Sequence, residues 1–247
     1  MPRSTTRARN PTELAVPLEG GGTVTALVYE ALEPRAGAAL VLAHGAGAGQ
    51  QSPFMTGVAK ALSSLGLDAI TFNFPYTEQR RRLPDRRPAL EACYRSVVYT
   101  VGHDVESARR FLFIGGKSMG GRIATEVAAA DRDLPINGLV LLGYPLHPPG
   151  RPAEQRAAHL PGVNRPMLFV QGGRDSLGTP AELGPILASL SPVATLHVVA
   201  GGDHSFKVPR ADEQVQAAVA DDVQRTIVKW VQQVIASAGV GTRQPAR

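Results

Sequence analysis

Three residues far apart in the chain could together make an alcohol reactive: Ser118, Asp175 and His204. A serine hydroxyl is a poor nucleophile at neutral pH and needs an imidazole within hydrogen-bond reach to accept its proton. The imidazole needs a third group that fixes its tautomer and stabilises its protonated form. The three residues therefore predict acyl transfer, with Ser118 as nucleophile, His204 as base and Asp175 as the group that orients the base.

The surroundings of Ser118 are typical of a nucleophile elbow. The serine is the centre of a G-x-S-x-G pattern, Gly116-Lys117-Ser118-Met119-Gly120, which follows an apolar run at 111–114 and precedes a helix-compatible segment at 123–130. In such a strand–turn–helix unit a side chain two residues before or after the serine would clash with its neighbours, so glycine is required there. The pattern alone is common, and an ordinary serine in a glycine-rich turn is the alternative interpretation.

The acid and the base also have simpler interpretations. Asp175 follows Gly172-Gly173-Arg174 and could cap a turn. His204 could be a solvated loop histidine, and Asp203 is a rival acid, although its adjacency in sequence makes it poorly placed to orient the His204 ring. The order serine, acid, histidine weighs against these interpretations, because it is the order found in α/β hydrolases.

Acyl transfer also requires donors for the oxyanion. The backbone N–H of Met119, directly after the nucleophile, is one candidate. The second should come from the glycine-rich loop His44-Gly45-Ala46-Gly47-Ala48-Gly49, with Ala46 as the first choice and Gly47 as the second. A phosphate-binding turn is the alternative for this loop, but it has G-x-G-x-G rather than G-x-G-x-x-G and carries no P-loop lysine.

Apolar runs alternate with helical patterns along the chain. We predict strands at 24–29, 38–43, 69–72, 111–115, 136–143, 167–170 and 196–199, and helices at 54–65, 88–110, 123–131, 180–190 and 215–235. This alternation predicts an α/β fold with a doubly wound, mostly parallel sheet and helices on both faces. Residues 13–238 form one predicted domain, with flexible tails at 1–12 and 239–247. All candidate residues follow predicted strands, at the edge where such sheets bind ligands.

Composition excludes several classes of function. The formal net charge is +5, but the basic residues concentrate in the tails and at 80–87, without the aromatic interleaving or motifs of a nucleic-acid interface. We find no metal-spaced Cys/His cluster, so no metal is expected, and no apolar stretch long enough for a membrane span. Cys93 is the single cysteine, which fits a reducing compartment. With no apolar leader, the expected location is the cytoplasm.

The chain resembles the α/β-hydrolase superfamily, in its dienelactone-hydrolase-like branch. It is most similar to predicted hydrolases related to the testis-expressed and histone-acetyltransferase-complex-associated α/β-hydrolase-like domains. The matching segments span about residues 20–237 and are His44-Gly45-Ala46-Gly47, Asn73-Phe74-Pro75-Tyr76, Gly116-Lys117-Ser118-Met119-Gly120-Gly121-Arg122, Tyr144-Pro145-Leu146-His147-Pro148-Pro149-Gly150, Gln171-Gly172-Gly173-Arg174-Asp175 and Gly202-Asp203-His204.

The resemblance implies an α/β-hydrolase fold and a serine hydrolase that needs no cofactor and acts on a small-molecule acyl substrate. True dienelactone hydrolases use cysteine at the elbow, where this chain has Ser118, which argues against dienelactone as substrate. Some eukaryotic relatives are better regarded as interaction domains, so a catalytically inactive binding module is the alternative function. A cofactor-free haloperoxidase-like activity at the same three residues is a third, weaker hypothesis.

Three features bear on the substrate. About twenty residues follow the strand at 136–143, too few for a large cap domain, which favours small, accessible acyl esters or thioesters. The loop Arg80–Arg87 could attract an anionic substrate, or it is simply a solvated charged loop. Lys117 and Arg122 could steer carboxylates, but an exposed lysine and a structural ion pair are the simpler interpretations. The sequence carries no indication of oligomeric state.

Overall fold

The described residues form one eight-stranded sheet. The computed structural model describes residues 10–192 and 194–241. The strands are β1 (Thr12–Pro17), β2 (Thr23–Tyr29), β3 (Ala39–Ala43), β4 (Asp68–Phe72), β5 (Leu112–Lys117), β6 (Gly138–Leu142), β7 (Met167–Gly172) and β8 (Thr195–Val199). Their order across the sheet is β1-β2-β4-β3-β5-β6-β7-β8. The pairs from β4 to β8 are parallel, and β2 is antiparallel to both β1 and β4.

Helices cover both faces of this sheet. They are α1 (Pro53–Ser64), α2 (Pro75–Glu78), α3 (Arg87–Asp104), α4 (Glu106–Arg110), α5 (Met119–Ala130), α6 (Pro180–Ala188) and α7 (Glu213–Gly241). Side chains of α3, α5 and α6 belong to the apolar core on one face, and side chains of α1 and α7 to the core on the other. The predicted doubly wound sheet with helices on both faces is confirmed.

The apolar run of β3 shows why the sequence predicts this layering. Successive side chains of a strand point to opposite faces. Ala39, Val41 and Ala43 lie in one core, Leu40 and Leu42 lie in the other, and all five are inaccessible to solvent. A strand covered on both faces has no position for a polar residue, which explains the unbroken apolar sequence.

Three elements differ from the sequence prediction, and one of them is the short helix α2, which was not predicted. Strand β1 was not predicted, because Thr12-Glu13-Leu14-Ala15-Val16-Pro17 occupies a sheet edge and only Val16 in it is fully buried. The helix predicted at 88–110 is two helices, because Val105 adopts extended backbone angles (φ −98°, ψ 117°) and packs against the core. The predicted domain boundaries stay predictions: residues 1–9 and 242–247 lie outside the described residues, and α7 continues to Gly241.

The carboxyl ends of the parallel strands gather the candidate residues at one edge. The loop at 44–49 follows β3, Ser118 follows β5, Asp175 follows β7 and His204 follows β8. The segment at 143–164 adds one 3₁₀ turn (Leu160–Gly162) and buries Tyr144, Leu146 and Leu160 against the domain body, so no large cap domain is present. Among the described helices, none combines the length and hydropathy that crossing a bilayer requires.

Candidate active site

The turn at Ser118 is a strained connection between β5 and α5. Ser118 has φ 51° and ψ −117°, a backbone conformation that non-glycine residues seldom adopt. Its N–H donates to the carbonyl of Leu142 in β6 (3.0 Å). A Cβ at either Gly116 or Gly120 would lie 2.4 Å from the carbonyl oxygen of Ala43. Glycine is therefore required on both sides of the serine, because the turn packs directly on the end of β3.

Ser118, His204 and Asp175 are joined by a chain of hydrogen bonds. His204 Nε2 lies 2.9 Å from Ser118 Oγ, and His204 Nδ1 lies 2.7 Å from Asp175 Oδ2. The carboxylate can only accept, so Nδ1 carries the proton and Nε2 is left to accept from the serine hydroxyl. The structure thus brings together the three residues that the sequence singles out, in the arrangement that general-base activation of a serine requires.

Asp175 is fully buried and held by more than its histidine. Its Oδ2 also accepts from Gln171 Nε2 (2.8 Å), and its Oδ1 accepts from the Leu177 N–H (2.9 Å). Gln171 itself is inaccessible to solvent, donates to the Gly178 carbonyl (2.7 Å) and accepts from the Tyr144 N–H (2.8 Å). The sequence analysis did not single out Gln171; the signal available was one polar residue at the end of the apolar run of β7.

The rival acid, Asp203, has a different task. Its Oδ1 accepts from the backbone N–H groups of Ser205 (2.7 Å) and Lys207 (2.9 Å). The Asp203 carboxylate therefore closes the turn that carries His204, and no hydrogen bond joins it to the His204 ring among the described residues.

The glycine-rich loop lies against the turn that carries Ser118. A Cβ at Gly45 would lie 3.5 Å from both Ser118 Cβ and the Lys117 carbonyl oxygen, so the start of the loop packs on the turn at Ser118. The Ala46 N–H donates to no other described residue. The Met119 N–H belongs to the first turn of α5, where N–H groups have no intrahelical acceptor. The role of these two N–H groups as oxyanion donors stays a prediction.

His44 holds the glycine-rich loop in place through two hydrogen bonds of its buried ring. The ring is fully buried, its Nδ1 donates to the Gly45 carbonyl (2.8 Å), and its Nε2 accepts from the Phe74 N–H (3.3 Å). Burial lowers the pKa of His44, so the ring stays neutral and keeps both hydrogen bonds. Asn73 adds a further tie, because its Oδ1 accepts from the Gln50 N–H (2.9 Å).

A cleft of about 730 Å³ adjoins the glycine-rich loop. Gly47–Gly49 form one wall, and Asn73, Tyr76 and the arginines at 80–82 contribute to the others. Arg81 is engaged by Asp85 (2.5 Å), whereas Arg80 and Arg82 form no ion pair with another described residue. The arginine-rich loop and the glycine-rich loop therefore border the same cleft, whose lining includes neither Ser118 nor His204.

The other reactive residue types lie in less suitable surroundings. Burial raises the pKa of the Cys93 thiol to about 12, which suppresses the thiolate. Arg122 forms the expected structural pair, with Glu126 (2.6 Å). Lys117, in contrast, is buried rather than exposed. Within residues 10–192 and 194–241, no group of three or more His, Cys, Asp or Glu side chains could hold a metal ion.

Comparison with known proteins points in the same direction as this geometry. The model of a family described as an alpha/beta hydrolase domain matches residues 36–232. An alpha-beta serine hydrolase homologue from Coxiella burnetii has 17% identity and a TM-score of 0.69, covering 90% of this chain and 99% of its own.

Two further solved structures share the fold. Dienelactone hydrolase from Anabaena variabilis has 22% identity and a TM-score of 0.67, covering 88% of this chain and 97% of its own. An α/β serine hydrolase without a lid from Xanthomonas campestris has 20% identity and a TM-score of 0.66, covering 90% and 95%.

Proposed function

Because the chain belongs to the alpha/beta hydrolase domain family, as its sequence resemblance predicts, we propose that it is a serine hydrolase that cleaves small acyl esters or thioesters through an acyl-enzyme. The observation that carries this proposal is the continuous chain of hydrogen bonds from Ser118 Oγ through the His204 ring to Asp175. Its geometry is that of an activated nucleophile before substrate binds.

In the proposed acylation step, Ser118 Oγ attacks the carbonyl carbon of the substrate, and its proton moves to His204 Nε2. Asp175 keeps the imidazole oriented and stabilises its positive charge. The carbonyl oxygen becomes an oxyanion that accepts hydrogen bonds from the Ala46 and Met119 N–H groups. Such prearranged donors are worth about 3–4 kcal/mol of transition-state stabilisation. The tetrahedral intermediate then collapses, and the alcohol or thiol leaves with the proton from His204.

Deacylation repeats these steps with water. His204 takes a proton from the water molecule as it attacks the acyl carbonyl, and returns that proton to Ser118 Oγ as the ester bond breaks. The His204 side chain is 24% exposed, so water can reach its ring without a movement of the fold. The products are a carboxylic acid and the regenerated serine.

The surroundings of the site support a small substrate. The segment at 143–164 packs onto the domain body, Ser118 is half-buried, and the cleft beside the glycine-rich loop opens to solvent. An open cleft encloses less of a ligand than a deep pocket does, which favours a short acyl or alcohol group over a long lipid chain. Arg80 and Arg82 would favour substrates with a negative charge at the end that enters the cleft.

The test is covalent labelling followed by a substrate panel. Wild-type protein should react with a fluorophosphonate probe and hydrolyse short p-nitrophenyl esters, and Ser118→Ala should lose both activities. The matched control is Ser64→Ala, which removes an exposed hydroxyl on α1 that donates only to the Lys60 carbonyl. A panel of acyl esters and acyl thioesters then ranks the two substrate classes.

Labelling that persists in Ser118→Ala would reject Ser118 as the nucleophile. A wild-type protein that is folded but neither labels nor hydrolyses any member of the panel would instead favour the catalytically inactive binding module.

A further inference from the structure

Lys117 is a buried cation that the proposed chemistry does not use. It directly precedes the nucleophile, at the end of β5, and only 8% of it is exposed. Its Nζ donates a 2.7 Å hydrogen bond to the main-chain carbonyl of His204, 87 positions along the chain. Lys117, the residue next to the proposed nucleophile, is thus hydrogen-bonded to the main chain of His204, the proposed base.

The environment of the Lys117 ammonium is closely defined. The rings of Phe54 and Phe206 lie with their centroids 5.8 and 6.0 Å from Nζ. A Cβ at Gly143, directly after β6, would lie 2.9 Å from Nζ, so the ammonium packs against the main chain at that glycine. The charged groups that face it are Asp175, after β7, and Asp203, in the turn that carries His204. Burying an ammonium is costly, so a lysine here requires compensating contacts.

We propose that Lys117 is a positioning residue, whose ammonium holds the main chain of His204 so that the imidazole stays between Ser118 and Asp175. This inference rests on the proposed function. The hydrogen bond ties the turn after β8 to the same strand that carries Ser118. The separation of base and nucleophile is then set by β5 as well as by the turn at 201–207 that carries His204.

The protonation state of Lys117 makes the proposal measurable. Burial lowers the pKa of Lys117 to about 8, and the nearby Asp175 and Asp203 oppose the shift. A charged donor makes a hydrogen bond roughly twice as strong as a neutral donor does. When the ammonium loses its proton above about pH 8, its hydrogen bond to the His204 carbonyl weakens. We therefore expect kcat/KM to fall as pH rises, with the midpoint of the fall at the pKa of Lys117.

The experiment compares wild type with Lys117→Met and Lys117→Arg between about pH 6 and pH 10. The substrate is a neutral p-nitrophenyl ester, corrected for spontaneous hydrolysis. Lys117→Met keeps the length of the side chain without the donor or charge, and should lower kcat roughly tenfold to hundredfold with little change in KM. Lys117→Arg keeps both donor and charge, and should recover most of kcat while losing the alkaline fall near pH 8.

Several results would overturn the inference. One is a Lys117→Met protein with wild-type kcat, and another is an alkaline fall near pH 8 that persists in Lys117→Arg. If Lys117→Met fails to fold by circular dichroism, Lys117→Arg alone decides between the outcomes. Fluorophosphonate labelling of wild type but not of Ser118→Ala is run alongside. A wild type that does not label refutes the proposed function, whereas normal labelling with unaffected Lys117 variants refutes only the role of Lys117.

Discussion

Replacing Gln171 with glutamate changes one nitrogen to an oxygen at the most buried polar point of the site. The Gln171 Nε2 group donates to Asp175 Oδ2 (2.8 Å) and to the Gly178 carbonyl (2.7 Å). The Tyr144 carbonyl lies 3.3 Å away as well, so a glutamate oxygen at that position faces three acceptors with no hydrogen to offer. An ionised glutamate would also set a second negative charge beside Asp175, where no solvent screens it.

The size of the effect follows from the two shorter contacts, to Asp175 and to the Gly178 carbonyl. Losing a hydrogen bond to a charged acceptor costs about 1.5–3 kcal/mol, and leaving a buried carbonyl unpaired costs about 1–3 kcal/mol. Gln171→Glu should therefore lower the free energy of unfolding by about 3–5 kcal/mol when glutamate is ionised. A protonated glutamate regains one donor, so the new carboxyl should have a raised pKa in the folded state. Because the pKa of the introduced carboxyl is higher in the folded than in the unfolded protein, the destabilisation is smallest below the unfolded pKa and grows as pH rises through the folded pKa.

Urea unfolding at about pH 5 and pH 8 measures this difference. Trp230 is the single tryptophan, it is buried, and its ring packs edge-on against Phe113, so its fluorescence reports the loss of the core. Gln232→Glu is the matched control, because it makes the same chemical change at an exposed position on α7. The fluorophosphonate labelling rate of Gln171→Glu should also fall at pH 8 and partly recover at pH 5, after correction for the pH response of wild type.

The reasoning fails if Gln171→Glu and Gln232→Glu have the same stability at both pH values. It also fails if the destabilisation is large but independent of pH, because the carboxyl would then lack the proton linkage derived from its contact with Asp175.

Two further predictions concern the stability of the fold. Burial and the charges of Arg122 and Arg87 lower the pKa of His159 to about 4, and its Nε2 lies 2.8 Å from Thr125 Oγ1. The stability that the neutral ring supplies is complete above the unfolded pKa of about 6.5 and is lost as pH falls through 4. By about pH 4.5 the free energy of unfolding of wild type should therefore fall by about 2 kcal/mol more than that of His159→Gln. Equal losses in the two proteins, measured by urea unfolding, would contradict this. Tyr94→Phe removes the hydroxyl that accepts from the Gly115 N–H (3.0 Å) and donates to the Gly115 carbonyl (2.5 Å). The free energy of unfolding, measured by thermal denaturation, should fall by about 1–3 kcal/mol. A change below about 0.5 kcal/mol would show that these two groups of the strand find other hydrogen-bond partners.

The parts of the fold that the sequence predicted are those where burial is complete. Strands such as β3 and β6 are buried on both faces, so every position is apolar and the pattern has one interpretation. Strand β1 pairs with β2 alone at the edge of the sheet, so its composition is only weakly constrained. The break at Val105 was hidden because a valine suits both the end of a helix and an extended residue packed on the core.

The candidate site divides along similar lines. Ser118, Asp175 and His204 could be proposed from sequence because their chemistry limits the residue types and their chain order, and each follows an apolar strand. Gln171 and Lys117 could not be found in this way. A glutamine or lysine has a special role only when it is buried, and burial here depends on partners such as the His204 carbonyl, 87 positions away.

The accessibility of the triad decreases from the base to the acid, and this gradient matches the proposed roles. The His204 side chain is 24% exposed, as the proposed departure of a leaving group and entry of water at its ring would require. Asp175 is completely buried, and Gln171, Leu177 and His204 each donate a hydrogen bond to its carboxylate. A carboxylate held by three donors cannot rotate away from Nδ1 when the imidazole becomes charged. If the acid were as exposed as the base, water would compete for its oxygens and weaken its hold on the ring in the step where orientation matters most.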